Sequence, residues 1–182
     1  MGLRFLHPPD ASALLAQEQR VAYCQGYACL VELGQTFGTT GSNALERIVD
    51  GKTGRRVDGQ AKWSRKYVRY TKGSSPDEDT IKAAERAAQK LGKAIRLRYW
   101  RYHPLWLLLA EPVGSLKAIS AVMLKLPRRV RKHLYYLMIP ERDGAFERRE
   151  FSRAKTLALR DMGTIDAFVG LLALAREGEI RD

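Results

Sequence analysis

Residues 62–92 read KWSRKYVRYTKGSSPDEDTIKAAERAAQKLG, and this stretch decides how the chain is organised. Its first part mixes cations with aromatic residues, and the glycine, serines and proline at 73–76 then break any helix. An acidic cluster follows, in which Asp77 or Asp79 can cap the next helix. That helix is the clearest in the sequence, because its apolar residues recur at helical spacing and Gly92 can end it. Its apolar face consists of Ile81, Ala84, Ala88 and Leu91.

The sequence before this stretch predicts further helices separated by loops. A first long helix is expected over residues 10–33, where Gly34 can end it in a left-handed conformation. The glycine-rich stretches 34–42 and 50–59 are predicted loops with a short helix between them. Residues 60–70 return to helical character, so we expect a basic helix directly before the break at 73–76.

The sequence after this stretch also favours helices. Residues 95–102 read IRLRYWRY, a pattern that suits a strand and a basic helix equally, and both interpretations stay open. Pro104 begins a short apolar helix, Ser115 caps another, and Pro127 starts a third. The tail predicts two more helices divided near Gly163. The predicted fold class is therefore all-α.

Charge is the strongest compositional signal. Lysine and arginine number 32 against 20 aspartates and glutamates, which gives a formal net charge of +12. The sequence pI is about 10.0. Such an excess repels itself, and a polyanionic partner relieves that repulsion. Phosphate backbones are the commonest polyanions because each contact also releases condensed counterions, so nucleic acid is the expected partner.

Targeting and cysteine signals predict a cytoplasmic protein without membrane attachment. The longest apolar run, residues 105–110, is far shorter than the roughly 20 residues needed to span a bilayer. The N-terminal MGLRFLHPPD lacks the long apolar region of a secretory signal. Cys24 and Cys29 are expected to be reduced core residues on different faces of one helix. Because no second cysteine pair completes a zinc site and the three histidines are scattered, no metal or cofactor is expected.

Residues 62–92 resemble the later half of a helix-turn-helix domain of the Xre/Cro/CI repressor class. The matching positions are Ser64, Tyr70, Gly73, Pro76, Thr80, Ile81 and Leu91. In that family the helix before the glycine is the recognition helix, whose leading residues enter the major groove. The resemblance implies a multi-helix bundle with a basic helix-turn-helix-like segment at 60–92, inside an N-terminal region 1–92. Residues 93–182 are predicted to form a C-terminal helical region, which packs with the first as one domain or mediates dimerisation or partner binding.

The resemblance also implies a DNA-binding regulator and a set of DNA contacts. Lysine and arginine pair with phosphate oxygens and guanine edges, while serine hydroxyls position the backbone. The predicted contacts are Lys62, Ser64, Arg65, Lys66, Arg69 and Lys72, with Arg55 and Arg56 on an adjacent phosphate. The alternative interpretation of the same residues is an ordinary solvated basic helix that packs through Trp63, Tyr67 and Tyr70.

Two other functions remain open on the sequence. Residues 128–133 read RRVRKH, and the spacing of Arg128 and His133 is similar to the ribonuclease signature of HEPN domains. That resemblance implies a helical RNA-binding protein or ribonuclease. His133 would be its general acid or base, and Arg128 would stabilise charge on the phosphate. The same cluster is also typical of a phosphate-binding or merely solvated face. The third function is a protein-interaction module whose basic surface meets an acidic partner protein.

Overall fold

The computed structural model describes residues 17–51, 55–57, 60–110, 115–134 and 152–181. The chain forms two compact units, Met1–His103 and Pro104–Asp182. The structural boundary therefore follows His103, whereas the sequence placed it after Gly92.

The described residues of the first unit form helices and one short hairpin. Its elements are α1 (Gln17–Phe37), α2 (Ser42–Asp50), β1 (Arg55–Val57), β2 (Gln60–Lys62), a 3₁₀ helix (Tyr67–Lys72), α3 (Glu78–Lys90) and α4 (Leu97–Arg101). The two strands pair antiparallel, and the register places Arg55 opposite Lys62. The all-α class is confirmed, with this hairpin as the β structure of the described residues.

One hydrophobic core holds the first unit together. It combines apolar side chains of all four α-helices with the two tyrosines of the 3₁₀ helix. Its buried members are Cys29, Leu30, Leu33, Leu45, Val49, Tyr67, Tyr70, Ile81, Ala84 and Leu97. Burial of this apolar surface is the main force that fixes the helices against one another.

Helix α1 passes directly beneath the chain that leads out of the 3₁₀ helix. Gly26 of α1 faces the carbonyl oxygens of Tyr70 and Ser74, and a Cβ atom built on Gly26 would overlap both of them. Only glycine allows the two backbones to approach this closely. The close crossing positions the 3₁₀ helix on α1.

Helix α4 belongs to the first unit because a buried carboxylate of α1 accepts two hydrogen bonds from residues at its start and within it. Glu32 accepts the backbone N–H of Arg96 at 2.7 Å and the indole N–H of Trp100 at 3.0 Å. Leu97 is fully buried in the same core. These contacts explain why the structural boundary falls after α4, and they resolve the ambiguous 95–102 stretch as a short helix.

The second unit is built around its last helix. Its elements are α5 (Leu105–Leu109), α6 (Leu116–Leu124), α7 (Arg128–Arg131), α8 (Arg153–Asp161) and α9 (Ile165–Arg181). Helix α9 packs against the other four. Ser115 caps α6, as predicted, because its hydroxyl accepts the N–H of Ala118. The predicted division near Gly163 is also confirmed, since that glycine lies between α8 and α9 with a φ of 57°.

Several local predictions were wrong. The basic helix expected over residues 60–70 is a strand, an irregular loop and a 3₁₀ helix instead. Helix α1 continues past Gly34 to Phe37, and Gly38 adopts the left-handed conformation with a φ of 73°. Leu91, expected to face inward, is exposed because the helix has already ended at Lys90. Cys24 is exposed and Cys29 is buried, so only Cys29 is a core cysteine.

Some predictions fall outside the described residues. The start of the first helix near residue 10 is one of these. The helix predicted from Pro127 was expected to continue to Met138, but it ends at Arg131, and residues beyond Leu134 are outside the described range. Within the part of the chain that is described, no helix is both long and apolar enough to cross a membrane.

Candidate nucleic-acid interface

Most of the predicted DNA contacts lie in residues 63–72, which we call the basic segment, and one carboxylate anchors its start. Glu46 of α2 is only 1% exposed. Its Oε2 accepts the backbone N–H of Ser64 at 2.9 Å, and its Oε1 accepts the backbone N–H of Lys66 at 3.2 Å. The hydroxyl of Ser42 also donates to Oε1, at 3.4 Å. The basic segment is therefore tied to α2 through its main chain.

Two opposing influences set the pKa of Glu46. Burial raises the pKa, whereas hydrogen bonds from Ser64, Lys66 and Ser42 favour the ionised form and lower it. The hydrogen bonds prevail, so the pKa lies below its ordinary value. The carboxylate is consequently charged at neutral pH, which is the state in which it accepts the strongest hydrogen bonds.

Arg65 lies between the two amides that Glu46 binds, and its backbone is left-handed. Its φ is 54°, and no other non-glycine residue of the described chain has a positive φ. For a residue with a Cβ atom this conformation costs roughly 1–2 kcal/mol. The side chain of Arg65 is exposed. Strained residues of this kind cluster at binding sites, where the surrounding structure holds them in place.

In the 3₁₀ helix, side chains three residues apart lie on the same side, because residues i and i+3 are aligned along the helix axis. Tyr67 and Tyr70 occupy one side and are 1% and 3% exposed. Arg69 and Lys72 occupy a second side and are both exposed. At a rise of about 2 Å per residue the two cations are roughly 6 Å apart along the helix axis. The buried tyrosines thus fix the backbone positions from which the two exposed cations extend.

Lys66 lies three residues before Arg69, but its ammonium group is already paired with a carboxylate of the protein. Its Nζ lies 3.0 Å from Oδ1 of Asp50, and the Asp50 side chain is only 8% exposed. The hydroxyl of Tyr67 donates to the other Asp50 oxygen at 3.4 Å. The ammonium of Lys66 therefore balances a buried carboxylate and does not add a free cation to the surface.

A further cation, absent from the sequence prediction, lies beside the basic segment. The guanidinium of Arg47 lies 5.7 Å from the ring centroid of Trp63, within the range of a cation–π contact. Arg47 is exposed and Trp63 is half-buried. Nothing in the local sequence links the two residues, because α2 and the basic segment meet only in the folded chain.

The other predicted contacts lie in the hairpin, whose backbone is described. Arg55 and Lys62 are directly opposite each other, and Arg56 pairs with Ala61. The register thus places the backbone positions of two of the three predicted hairpin cations opposite each other, whereas Ser64 lies exposed in the loop that follows.

Arg128 and His133 do not share one helix. Arg128 begins α7 and is exposed, whereas α7 ends at Arg131 and His133 lies half-buried in the turn that follows. The arrangement of an arginine and a histidine along one helical face, which the HEPN resemblance implies, is therefore not formed by α7.

A sequence signal for the true shape of the basic segment exists, but it has a period of three. Lys66, Arg69 and Lys72 are spaced by three residues, and so are Tyr67 and Tyr70. This period matches a 3₁₀ helix, whereas an α-helix has a period of 3.6. Over so short a stretch, the surrounding tertiary contacts decide between the two.

The part of the chain that the structure describes contains no group of three or more potential metal-ligating side chains. Comparison with family models, with curated proteins and with solved structures yields no match to this chain. The case for a function therefore rests on the geometry of the basic segment.

Proposed function

We propose that this protein binds nucleic acid without catalysing a reaction, and that Arg65, Arg69 and Lys72 contact the phosphate backbone. The observation that carries the proposal is the left-handed Arg65, exposed between two main-chain amides that the buried Glu46 holds. A fold that maintains this strain fixes the backbone from which the exposed Arg65 side chain extends.

A fixed backbone supports binding because the main chain of the segment need not be ordered when an anion arrives. Glu46, Gly26 and the two buried tyrosines all fix the backbone of the basic segment. None of Arg65, Arg69 and Lys72 forms an ion pair within 4 Å among the described residues. Their charges are therefore available to phosphate oxygens, in a chain whose net charge is +12.

Duplex DNA is the nucleic acid that we propose, and a regulatory role is its more specific form. Both follow from the resemblance of residues 62–92 to repressors of the Xre/Cro/CI class. Because the basic segment is a loop and a 3₁₀ helix, the proposed contacts are to phosphates, which position a protein on the duplex. Sequence preference is a separate question, and competition between a specific duplex and random DNA answers it.

The experiment is a salt titration of binding. Fluorescence anisotropy with a labelled 20-base-pair duplex compares the wild type with the triple variant Arg65→Gln, Arg69→Gln and Lys72→Gln. The slope of log affinity against log salt should become shallower by about 0.9 for each phosphate contact that is lost. The matched control removes three exposed cations of α3, through Lys82→Gln, Arg86→Gln and Lys90→Gln, and should change the slope much less.

Equal effects of the two triple variants would show that only net charge matters and would contradict the proposal. Absence of salt-dependent binding in the wild type would favour an acidic protein as the partner. A parallel titration with single-stranded RNA, with cleavage monitored on a gel, tests the ribonuclease alternative that depends on Arg128 and His133.

A further inference from the structure

A second concentration of positive charge lies in the other unit, in residues 125–132. We call this stretch the cationic turn. Residues 115–134 contain six lysines and arginines and no aspartate or glutamate. Five of those six cations fall within the cationic turn, namely Lys125, Arg128, Arg129, Arg131 and Lys132.

The cationic turn is held firmly by its apolar residues. Leu126 and Val130 are buried, and so is Leu134 just beyond the turn. Val130 and Leu134 pack against Gly170 of α9, where a Cβ atom would lie 3.2 Å from Val130 Cγ1 and 3.4 Å from both Leu134 methyl carbons. The absence of a side chain at Gly170 allows the turn to lie close to α9. The cations thus lie on a packed segment that includes the whole of α7.

The positive charge of the cationic turn is poorly balanced. Lys125, Arg128 and Lys132 are exposed and form no ion pair with the described residues. Arg129 is 64% exposed and lies 4.0 Å from the carboxylate of Asp166, at the limit of an ion pair. The Nε of Arg131 is buried and has no hydrogen-bond acceptor among the described residues. A buried donor without an acceptor is rare and calls for a ligand or a bound water.

We infer that the cationic turn is a second phosphate-binding site, which contacts nucleic acid independently of the basic segment. A phosphate group suits it because guanidinium groups bind phosphate oxygens through paired hydrogen bonds. The exposed guanidinium groups of Arg128 and Arg129 would donate to these oxygens. This site extends the proposed function, because it gives the second unit its own contact with the nucleic-acid backbone.

The packing of the turn argues against two other anionic partners. Its leucine and valine side chains are buried, so it presents no large apolar side chain for insertion into a bilayer. For the same reason it lacks the apolar centre that is typical of protein interfaces. Charge without exposed apolar surface is the composition of a surface that binds nucleic-acid phosphates.

The test uses the full chain and removes three exposed cations of the turn, through Arg128→Gln, Arg129→Gln and Lys132→Gln. Anisotropy titrations with the labelled 20-base-pair duplex are run across salt concentrations. The slope of log affinity against log salt should fall by roughly 1 to 3, at about 0.9 per lost contact. The control removes three exposed cations elsewhere in the same unit, through Lys117→Gln, Arg153→Gln and Arg160→Gln, and should lower the slope by less than about 1. Circular dichroism melting confirms that each variant is folded.

A second variant examines the paired donors of an exposed guanidinium directly. Arg128→Lys keeps the positive charge but removes the paired N–H donors, so affinity for the duplex should fall while the salt slope stays nearly the same. An unchanged affinity in Arg128→Lys, together with an unchanged slope in the triple variant of the turn, would overturn the inference.

The two sites can be separated by comparing their triple variants. If the basic-segment variant weakens binding and the turn variant does not, the inference fails and the proposed function stands. If only the turn variant weakens binding, the proposed role of the basic segment fails and the inference stands. Vesicles of phosphatidylcholine and phosphatidylserine form a third arm, and binding to them through the turn without binding to the duplex would also overturn the inference.

Discussion

The backbone N–H of Ser64 donates a 2.9 Å hydrogen bond to the carboxylate of Glu46, which lies 18 residues earlier in the chain. The same carboxylate accepts the N–H of Lys66, so α2 determines the path of the chain on both sides of Arg65. The buried carboxylate of Glu46 thus fixes the main chain on both sides of the exposed Arg65. The predictions below test this coupling, the strain that it maintains and the packing around it.

The stability of the first unit should fall in acid. The pKa of Glu46 lies below its ordinary value on balance, and hydrogen bonds from Thr80 lower the pKa of Asp77. Because both groups bind protons less readily when folded, their stabilising effect is present at neutral pH. It is lost as the pH falls from about 4.5 through the lower folded values. Urea unfolding between pH 7 and pH 3 measures the loss.

The variant Glu46→Gln should remove part of this pH dependence and destabilise the protein at pH 7. Loss of the charged acceptor weakens two part-buried hydrogen bonds to the main chain, and the expected cost is about 1–3 kcal/mol. Glu179→Gln is the control, because that carboxylate is exposed and pairs with Arg176 at the surface. It should change the free energy of unfolding by less than about 0.5 kcal/mol. Equal losses in the two variants would contradict the role of Glu46.

Arg65 allows strain and charge to be measured separately. Arg65→Gly removes both the charge and the left-handed strain, whereas Arg65→Ala removes only the charge. The glycine variant should be more stable than the alanine variant by up to about 1 kcal/mol, after the greater freedom of unfolded glycine is counted. Both should lose the same affinity for the duplex. A glycine variant less stable than the alanine variant would mean that the φ of 54° is not strained.

Lys66 should behave as a structural residue. Lys66→Met leaves the buried Asp50 without its cation, so the free energy of unfolding should fall by about 1–3 kcal/mol. The salt slope of duplex binding should stay at the wild-type value, because this ammonium is already paired. The double variant Lys66→Met with Asp50→Asn should recover part of the stability. A slope as shallow as that of the basic-segment variant would instead place Lys66 on a phosphate.

Gly26 tests the crossing of α1 and the 3₁₀ helix. Gly26→Ala places a methyl group against the carbonyl oxygens of Tyr70 and Ser74, and the overlap should destabilise the protein by at least about 1–3 kcal/mol. Gly178→Ala is the matched control, since nothing lies within 4 Å of the added carbon in α9. It should stabilise the protein by about 0.5–1 kcal/mol through helix propensity. Thermal unfolding of both variants compares them directly.

Several helix ends that depend on nearby capping residues or glycines were predicted correctly. Asp77 caps α3 through the N–H of Thr80, Ser115 caps α6, and Gly163 separates the last two helices. Each of these features depends on side chains within a few positions of one another. The α2 helix, predicted from residues 43–49, also forms at Ser42–Asp50.

The local structure of the candidate site was predicted wrongly, and its role as a binding site stays a prediction. The cations of residues 62–72 are a property of the sequence, and their excess over acids predicts a polyanionic partner. An α-helix was expected there because aromatic and basic residues mix without a clear strand pattern. The period-three signal of the 3₁₀ helix spans too few residues to outweigh that expectation.

By itself the sequence determined the net charge of +12, the all-α class and the ends of several helices, because composition and capping act over short distances. Only the tertiary structure decided the contacts between distant residues. Glu46 accepts the main-chain N–H groups of Ser64 and Lys66, and Asp50 forms an ion pair with Lys66. Gly26 allows the chain at Tyr70 and Ser74 to pass close to α1. These contacts join residues far apart in sequence. Their energies depend on burial, which exists only once the helices have packed.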